Sequence, residues 1–225
     1  MKTLRTGDGK VLNLTPPSGF FKQNADLAQV NRTLLDRHGV QAVDILGSVG
    51  AGKTTLTSQL VAQLKGRGRR VAAIAGDLTT ELDAERIRQH GAEVVQINTD
   101  RGCHLDAHMI QNALELVDLE NLDVLLIENV GNLICPGGYP LGAQRRMVVV
   151  SVSEGPHQVV KHPYIFQDAA VVAVNKVDLA GPMEVDPEKI KADVLRVKPG
   201  IPVVLTNGRT GQGVAELAQA LGLEG

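Results

Sequence analysis

The chain has 225 residues, with 23 Lys and Arg against 25 Asp and Glu and a formal net charge of −2. Apolar residues make up 43% and charged residues 21%, which excludes a disordered chain and a fibre, while the balanced charge gives no footing to a nucleic-acid tail or a polybasic membrane patch. Two cysteines exclude a disulfide framework, and two Tyr, three Phe and no Trp leave few rings for stacking on single-stranded bases.

Residues 1–20 read as an extended N-terminal arm, because Thr15-Pro16-Pro17-Ser18-Gly19 breaks regular structure. Lys2, Arg5, Asp8 and Lys10 fall there without an apolar run, so no secretory signal is expected. A helix follows over 21–38, with Leu27, Val30, Leu34 and Leu35 at helical spacing and Gly39 as its stop. Short apolar runs then recur at 42–46, 71–75, 94–97, 123–127, 147–152, 169–174 and 202–205. Helical stretches lie between them at 53–65, 83–89, 105–117, 187–196 and 213–221. Runs of Val, Ile and Leu without polar alternation predict strands buried on both faces. Strands alternating with helices predict a mostly parallel sheet in a single α/β domain over 21–225, flanked by helices on both faces. No run approaches the roughly 18 apolar residues that cross a bilayer, so a cytoplasmic protein with no membrane and no nucleic-acid partner is expected.

Gly47-Ser48-Val49-Gly50-Ala51-Gly52-Lys53-Thr54 fits G-x-x-x-x-G-K-[ST] between a strand and a helix. Glycines let backbone N–H groups converge on phosphate oxygens at a helix N-terminus. Lys53 is expected on the β and γ phosphates and Thr54 on Mg²⁺, with Thr55 completing the loop's nucleotide contacts. After the strand 169–174 stands Asn175-Lys176-Val177-Asp178, an N-K-x-D pattern. An Asp carboxylate there accepts from guanine N1–H and its 2-amino group together, a pair adenine lacks, and the Lys stem covers the base. Thr206 and Asn207, after the last strand, fall where a second base-contacting loop is expected. The alternative for N-K-x-D is an ordinary strand-end turn. Asp77 and Glu128 each follow a strand, and Glu128-Asn129-Val130-Gly131 replaces the Asp of the commoner D-x-x-G with Glu. Either carboxylate can hold Mg²⁺ or stand near the attacking water; the alternative is a strand-end cap. Lys53, Asp77 and Glu128 are thus the candidate catalytic residues for hydrolysis of GTP to GDP and phosphate. Turnover is expected to be slow, since no arginine finger is identified in the chain.

Cys103 and His104 are adjacent, and His108 follows one turn on. With apolar residues at 105, 109, 110, 113, 114, 116 and 117, His104 and His108 are expected on the outward face of one helix, with the Cys103 thiol at its start and thiolate favoured there. Cys135 lies in the loop that Glu128 opens. Two thiolates and two imidazoles suit Zn²⁺ or Ni²⁺; the alternative is a pair of ordinary buried thiols and solvated imidazoles. His38, His90, His157 and His162 have no partner at ligand spacing and read as solvated or capping residues.

Taken together, the phosphate loop, the run from Gly76-Asp77-Leu78-Thr79-Thr80-Glu81 to Arg86, Cys103-His104-Leu105-Asp106-Ala107-His108, Glu128-Asn129-Val130-Gly131-Asn132-Leu133-Ile134-Cys135-Pro136 and Asn175-Lys176-Val177-Asp178 resemble the HypB family over about residues 22–222. These are GTPases that help to insert nickel into [NiFe] hydrogenase. The resemblance implies the P-loop GTPase sheet of the signal-recognition and MinD-like (SIMIBI) class, GTP-dependent homodimerisation, and a nickel or zinc site at the dimer interface formed by Cys103, His104, His108 and Cys135. It also implies a HypA-type nickel chaperone as partner and the hydrogenase large subunit as client. Residues 1–20 lack the Cys-rich or His-rich run of some members, and Pro156 and His157 stand where many have acidic residues. The urease GTPase is less similar, because Gly137 rather than His follows Cys135-Pro136. A small-molecule kinase using ATP and a metal-independent GTP switch are the rival classes.

Overall fold

Each of the seven apolar runs becomes a strand, and every pairing among them is parallel. The computed structural model describes residues 2–5, 11–14, 18–77, 82–100 and 102–224. Within the predicted arm, β1 (Lys2–Arg5) and β2 (Val11–Leu14) pair antiparallel, while 6–10 and 15–17 lie outside the described residues. Helix α1 (Ser18–Arg37) starts before the expected residue 21, since Ser and Gly are well tolerated at a helix start.

The main sheet holds β3 (Gln41–Gly47), β4 (Val71–Asp77), β5 (Glu93–Asn98), β6 (Val124–Glu128), β7 (Arg145–Ser151), β8 (Val171–Asn175) and β9 (Val203–Leu205), in the order β5-β4-β6-β3-β7-β8-β9. The order reverses at β3, so the crevice past its carboxyl end is the switch point where such sheets bind ligands. The longer helices are α2 (Lys53–Gly66), α3 (Leu82–Arg88), α4 (Ala107–Leu114), α8 (Pro187–Val197) and α9 (Val214–Ala220). Sequence periodicity does not reveal the short helices α5 (Gln158–Lys161), α6 (Pro163–Gln167) and α7 (Ala180–Met183), each about one turn, too brief to show a period.

Side-chain alternation divides the core. Val43, Ile45, Ala73, Leu126, Val149 and Ala173 face α2, α3 and α9. On the opposite face, Ala42, Ile74, Leu125 and Ile127 pack with α1 and α4, and Val148, Val150, Val172 and Val174 pack with α5, α6 and α8. Between these two clusters Asp44 and Arg146 are register partners on β3 and β7. Arg146 Nε donates to Asp44 Oδ2 at 3.1 Å, and Asn129 Nδ2 donates to Asp44 Oδ1 at 3.3 Å. Burial pushes the Asp44 carboxyl up, and the guanidinium opposes it. Among the described residues no helix is long and apolar enough to cross a membrane.

Candidate nucleotide site and metal centre

Because the strands are parallel, their carboxyl ends gather Gly47, Asp77, Glu128, Ser151, Asn175 and Leu205 along one edge, and the loops that follow carry almost every candidate residue. Gly47 lets β3 pass close to β7, since a Cβ there would stand 2.6 Å from the Val149 carbonyl oxygen. Gly50 and Gly52 have φ of 77° and 95°, a left-handed conformation that favours glycine. A side chain at Gly52 would also collide with Asn175 Nδ2. Ser48, Val49 and Ala51 complete the loop into α2, Val49 being exposed and Ala51 buried.

Lys53 folds back across this loop, its Nζ donating to the carbonyls of Gly47 at 3.2 Å and Ser48 at 3.1 Å. Burial lowers its ammonium pKa, and the charges of Glu128, Asp83, Glu154 and Asp77 oppose that shift. Thr54 Oγ1 donates to Glu128 Oε1 at 2.6 Å. Glu128 is 3% exposed, its Oε2 has no hydrogen-bond partner among the described residues, and burial pushes its carboxyl up to about 7 against the pull of the Thr54 hydroxyl and Lys53. A hydroxyl beside a buried carboxylate with one oxygen unsatisfied fits a hard cation such as Mg²⁺, which binds oxygen donors. Asp77 ends β4 half-buried, within electrostatic reach of Lys53; the 78–81 stretch that follows lies outside the described residues. Thr55 Oγ1 accepts from Arg86 Nη2 at 3.1 Å.

The base-side loops are laced to the phosphate loop. Asn175 Nδ2 donates to the Ala51 carbonyl at 2.9 Å, and its Oδ1 accepts from Thr206 Oγ1 at 3.2 Å and Gly208 N at 3.0 Å. Asn175 thus braces the two loops against each other. Lys176 has φ of 59°, which costs a non-glycine residue about 1–2 kcal/mol. Its Nζ reaches the Gly50 carbonyl at 2.6 Å and Ser153 Oγ at 3.1 Å. Asp178 is exposed beside it. Thr206 and Asn207 are buried, with Asn207 Oδ1 turned back to Arg209 N at 3.0 Å.

The ligand atoms of Cys103, His104 and Cys135 all lie within 4.8 Å of one another. Cys103 Sγ is 3.6 Å from His104 Nδ1. His108 is not part of this cluster; it is exposed on the first turn of α4. The expected shared helical face fails because Asp106 caps the helix, accepting from Met109 N at 2.8 Å. That leaves His104 in the loop ahead of it. Cys103 is likewise not at a helix start, and its thiol pKa is raised rather than lowered, first by its hydrogen bond with Cys135 and then by burial. Burial holds the His104 pKa down, with Asp106 opposing; a neutral imidazole is the form that ligates a metal.

Sequence reasoning missed two residues around this cluster. The His104 ring stacks on Tyr139, with centroids 3.9 Å apart and planes at 31°, and Tyr139 in turn meets Phe21 of α1 at 5.2 Å. Asn132 joins both cysteine loops through its side chain. The rarity of aromatics was the available signal for Tyr139; Asn132 had only its place between Glu128 and Cys135. A separate cleft of about 640 Å³, lined by Arg32, Asp44, Gly137 and Arg146 among others, lies away from the phosphate loop.

A family model described as the CobW/HypB/UreG nucleotide-binding domain matches residues 41–205. The chain is 46% identical over 194 residues to the probable hydrogenase maturation factor HypB of Methanocaldococcus jannaschii, covering 86% of this chain and 87% of that protein. It is 41% identical over 195 residues to the hydrogenase maturation factor HypB of Rhizobium leguminosarum bv. viciae, covering 87% of this chain but only 65% of that protein. The crystal structure of HypB from Archaeoglobus fulgidus matches with a TM-score of 0.83 at 40% identity, over 91% of this chain and 100% of that one. HypB from Helicobacter pylori in complex with nickel matches with a TM-score of 0.83 at 33% identity, over 90% and 94%. The nucleotide-binding fold, the motifs on its carboxyl edge and these relatives agree: the chain belongs to the CobW/HypB/UreG family, among its HypB members.

Proposed function

We propose that this chain is a GTP-hydrolysing metallochaperone that carries nickel, or zinc, and assists nickel insertion into [NiFe] hydrogenase. The observation that carries this reading is that one loop, 128–135, has the Thr54–Glu128 pair at one end and the Cys103–His104–Cys135 donors at the other. Nickel-bound HypB of Helicobacter pylori supports nickel as the cargo.

In hydrolysis, Lys53 exchanges the carbonyls of Gly47 and Ser48 for phosphate oxygens, so its ammonium is already aimed before nucleotide arrives. Gly47, Ser48, Val49, Gly50, Ala51, Gly52, Thr54 and Thr55 frame the phosphates. Thr54, with Glu128 and Asp77, would hold Mg²⁺, which would supply charge neutralisation on the phosphates. Asp77 and Glu128 share the work near the attacking water. Asp178 reads the guanine edge, Lys176 covers the base, and Asn175, Thr206 and Asn207 hold the base pocket in shape. Among the described residues no arginine stands in for a transition-state finger, and slow turnover is the expected consequence.

Three soft and borderline donors leave a coordination position for a further ligand. Cys103 is exposed, as are Ile134 at 70% and Val49 at 81% on the same edge. That exposure supports a second copy of the chain closing over this edge when GTP is bound, with a HypA-type chaperone and the hydrogenase large subunit using it in turn. These steps belong to the cytoplasm. Competition between GTP and ATP, read together with phosphate release, tests the enzyme half of the reading: guanine preference with slow release supports it, and an adenine preference moves the chain to the small-molecule kinases.

A further inference from the structure

The 131–132 segment touches the phosphate loop and both cysteine loops. Asn132 N donates to the Gly47 carbonyl at 3.0 Å, the same oxygen that accepts from Lys53 Nζ at 3.2 Å. The two residues form an isolated antiparallel bridge. Gly131 lies so close to Val49 that a Cβ there would collide with Val49 Cγ2 and sit 3.0 Å from its backbone. The Asn132 side chain faces the other way chemically. Its Nδ2 donates to the Cys103 carbonyl at 3.4 Å, and its Oδ1 accepts from Ile134 N at 2.8 Å and Cys135 N at 3.4 Å. One amide therefore spans the two loops that carry the thiols, and its own backbone is fastened to the phosphate loop.

We infer that Asn132 is a positioning residue that transmits nucleotide state to the metal donors. Gly47 O serves two donors at once. A phosphate oxygen attracts the Lys53 ammonium more strongly than a neutral carbonyl does, and GTP offers Lys53 a γ phosphate that GDP lacks, so Lys53 is drawn from Gly47 O more completely with GTP than with GDP and leaves that oxygen to Asn132 N. Gly131 packs on Val49 with no room for a side chain, and Asn132 is hydrogen-bonded to Gly47, so a change at either loop residue reaches the 131–132 segment directly. A shift of Asn132 then moves the backbones of Cys103 and Cys135 together, and a small change in donor separation is enough to alter metal affinity. The inference rests on the reading of the cluster as a nickel site linked to nucleotide, and it names the link.

The test is an equilibrium Ni²⁺ titration of the full chain in excess GDP and in excess non-hydrolysable GTP analogue, for wild type, Asn132→Ala, Asn132→Asp and Tyr139→Ala. Aspartate keeps the acceptor toward Ile134 and Cys135, loses the donor to Cys103 and adds a negative charge, which the alanine variant does not. For wild type the two nickel affinities differ by about fivefold or more, the lower end of ordinary allosteric coupling. Both Asn132 variants bring that ratio within about twofold of unity. Tyr139→Ala weakens nickel in both nucleotide states and keeps the wild-type ratio, which separates support of a ligand from transmission. Asn132 variants that lose nickel affinity equally in both states, with the wild-type ratio intact, overturn the inference and leave Asn132 as scaffolding. A wild-type ratio of one overturns the linkage itself, and with it the inference.

Discussion

The two candidate sites of this molecule are built in opposite ways. Around the phosphate loop, Lys53, Thr54, Glu128 and Asn175 are buried, and each is already tied by hydrogen bonds to a neighbouring loop. Around the metal donors, Cys103 is exposed, His104 and Cys135 are half-buried, and all three sit on loops. Parallel strands explain the first: the sheet edge fixes the backbone at Gly47, Glu128 and Asn175 to within the register of its ladder. The second has no such ladder and relies on Asn132, Tyr139 and Phe21. A rigid site suits a reagent that is turned over in place. An open set of three donors suits an ion that must be received and released.

Loss of the buried cation gives the largest expected effect. Lys53→Ala reduces the rate of GTP hydrolysis by about 10²–10³-fold, the usual cost of removing one preorganised charge-stabilising donor, measured as phosphate release at saturating GTP. Next is the thiol pair: Cys103→Ser or Cys135→Ser weakens Ni²⁺ by on the order of 100-fold or more, at least the upper end of what an outer-sphere change costs, and the double variant removes the sulfur-to-nickel absorption bands. Retention of those bands would assign the metal to other residues.

Glu128 sharpens the comparison through pH. Burial pushes its carboxyl up to about 7 from an ordinary value near 4.5, so between those values it is neutral when folded and ionised when unfolded. Stability in the absence of nucleotide therefore falls as pH rises from about 4.5 through 7, by on the order of 3 kcal/mol for this group. Glu128→Gln removes the penalty, and its gain in melting temperature over wild type is larger at pH 8 than at pH 5. A gain independent of pH would contradict the buried-acid description. The smallest effect is expected at the stack beneath His104. Tyr139→Ala weakens Ni²⁺ by about tenfold, while Tyr139→Phe, which keeps the ring, stays close to wild type.

The sequence patterns carried the sheet and the nucleotide edge well, because both depend on local signals. Val, Ile and Leu runs mark strands buried on two faces, and glycine spacing marks a loop whose φ values other residues avoid. The candidate metal centre was only partly legible. Apolar spacing from Leu105 onward suggested a helix carrying His104 and His108 on one face, yet Leu105 is a core residue packed under Gly76 and Asp106 begins the helix after it. Periodicity cannot distinguish a buried loop residue from the first turn of a helix. The roles of Asn132 and Tyr139 depend on contacts between loops that are distant in the chain, and no spacing rule encodes those.

The central claim is that nucleotide state governs the nickel site. The most direct test is an equilibrium Ni²⁺ titration of the wild-type chain with GDP and with a non-hydrolysable GTP analogue, with molecular mass measured in each state. The account predicts different nickel affinities in the two states, with dimer mass in the analogue state. Equal affinities would contradict it.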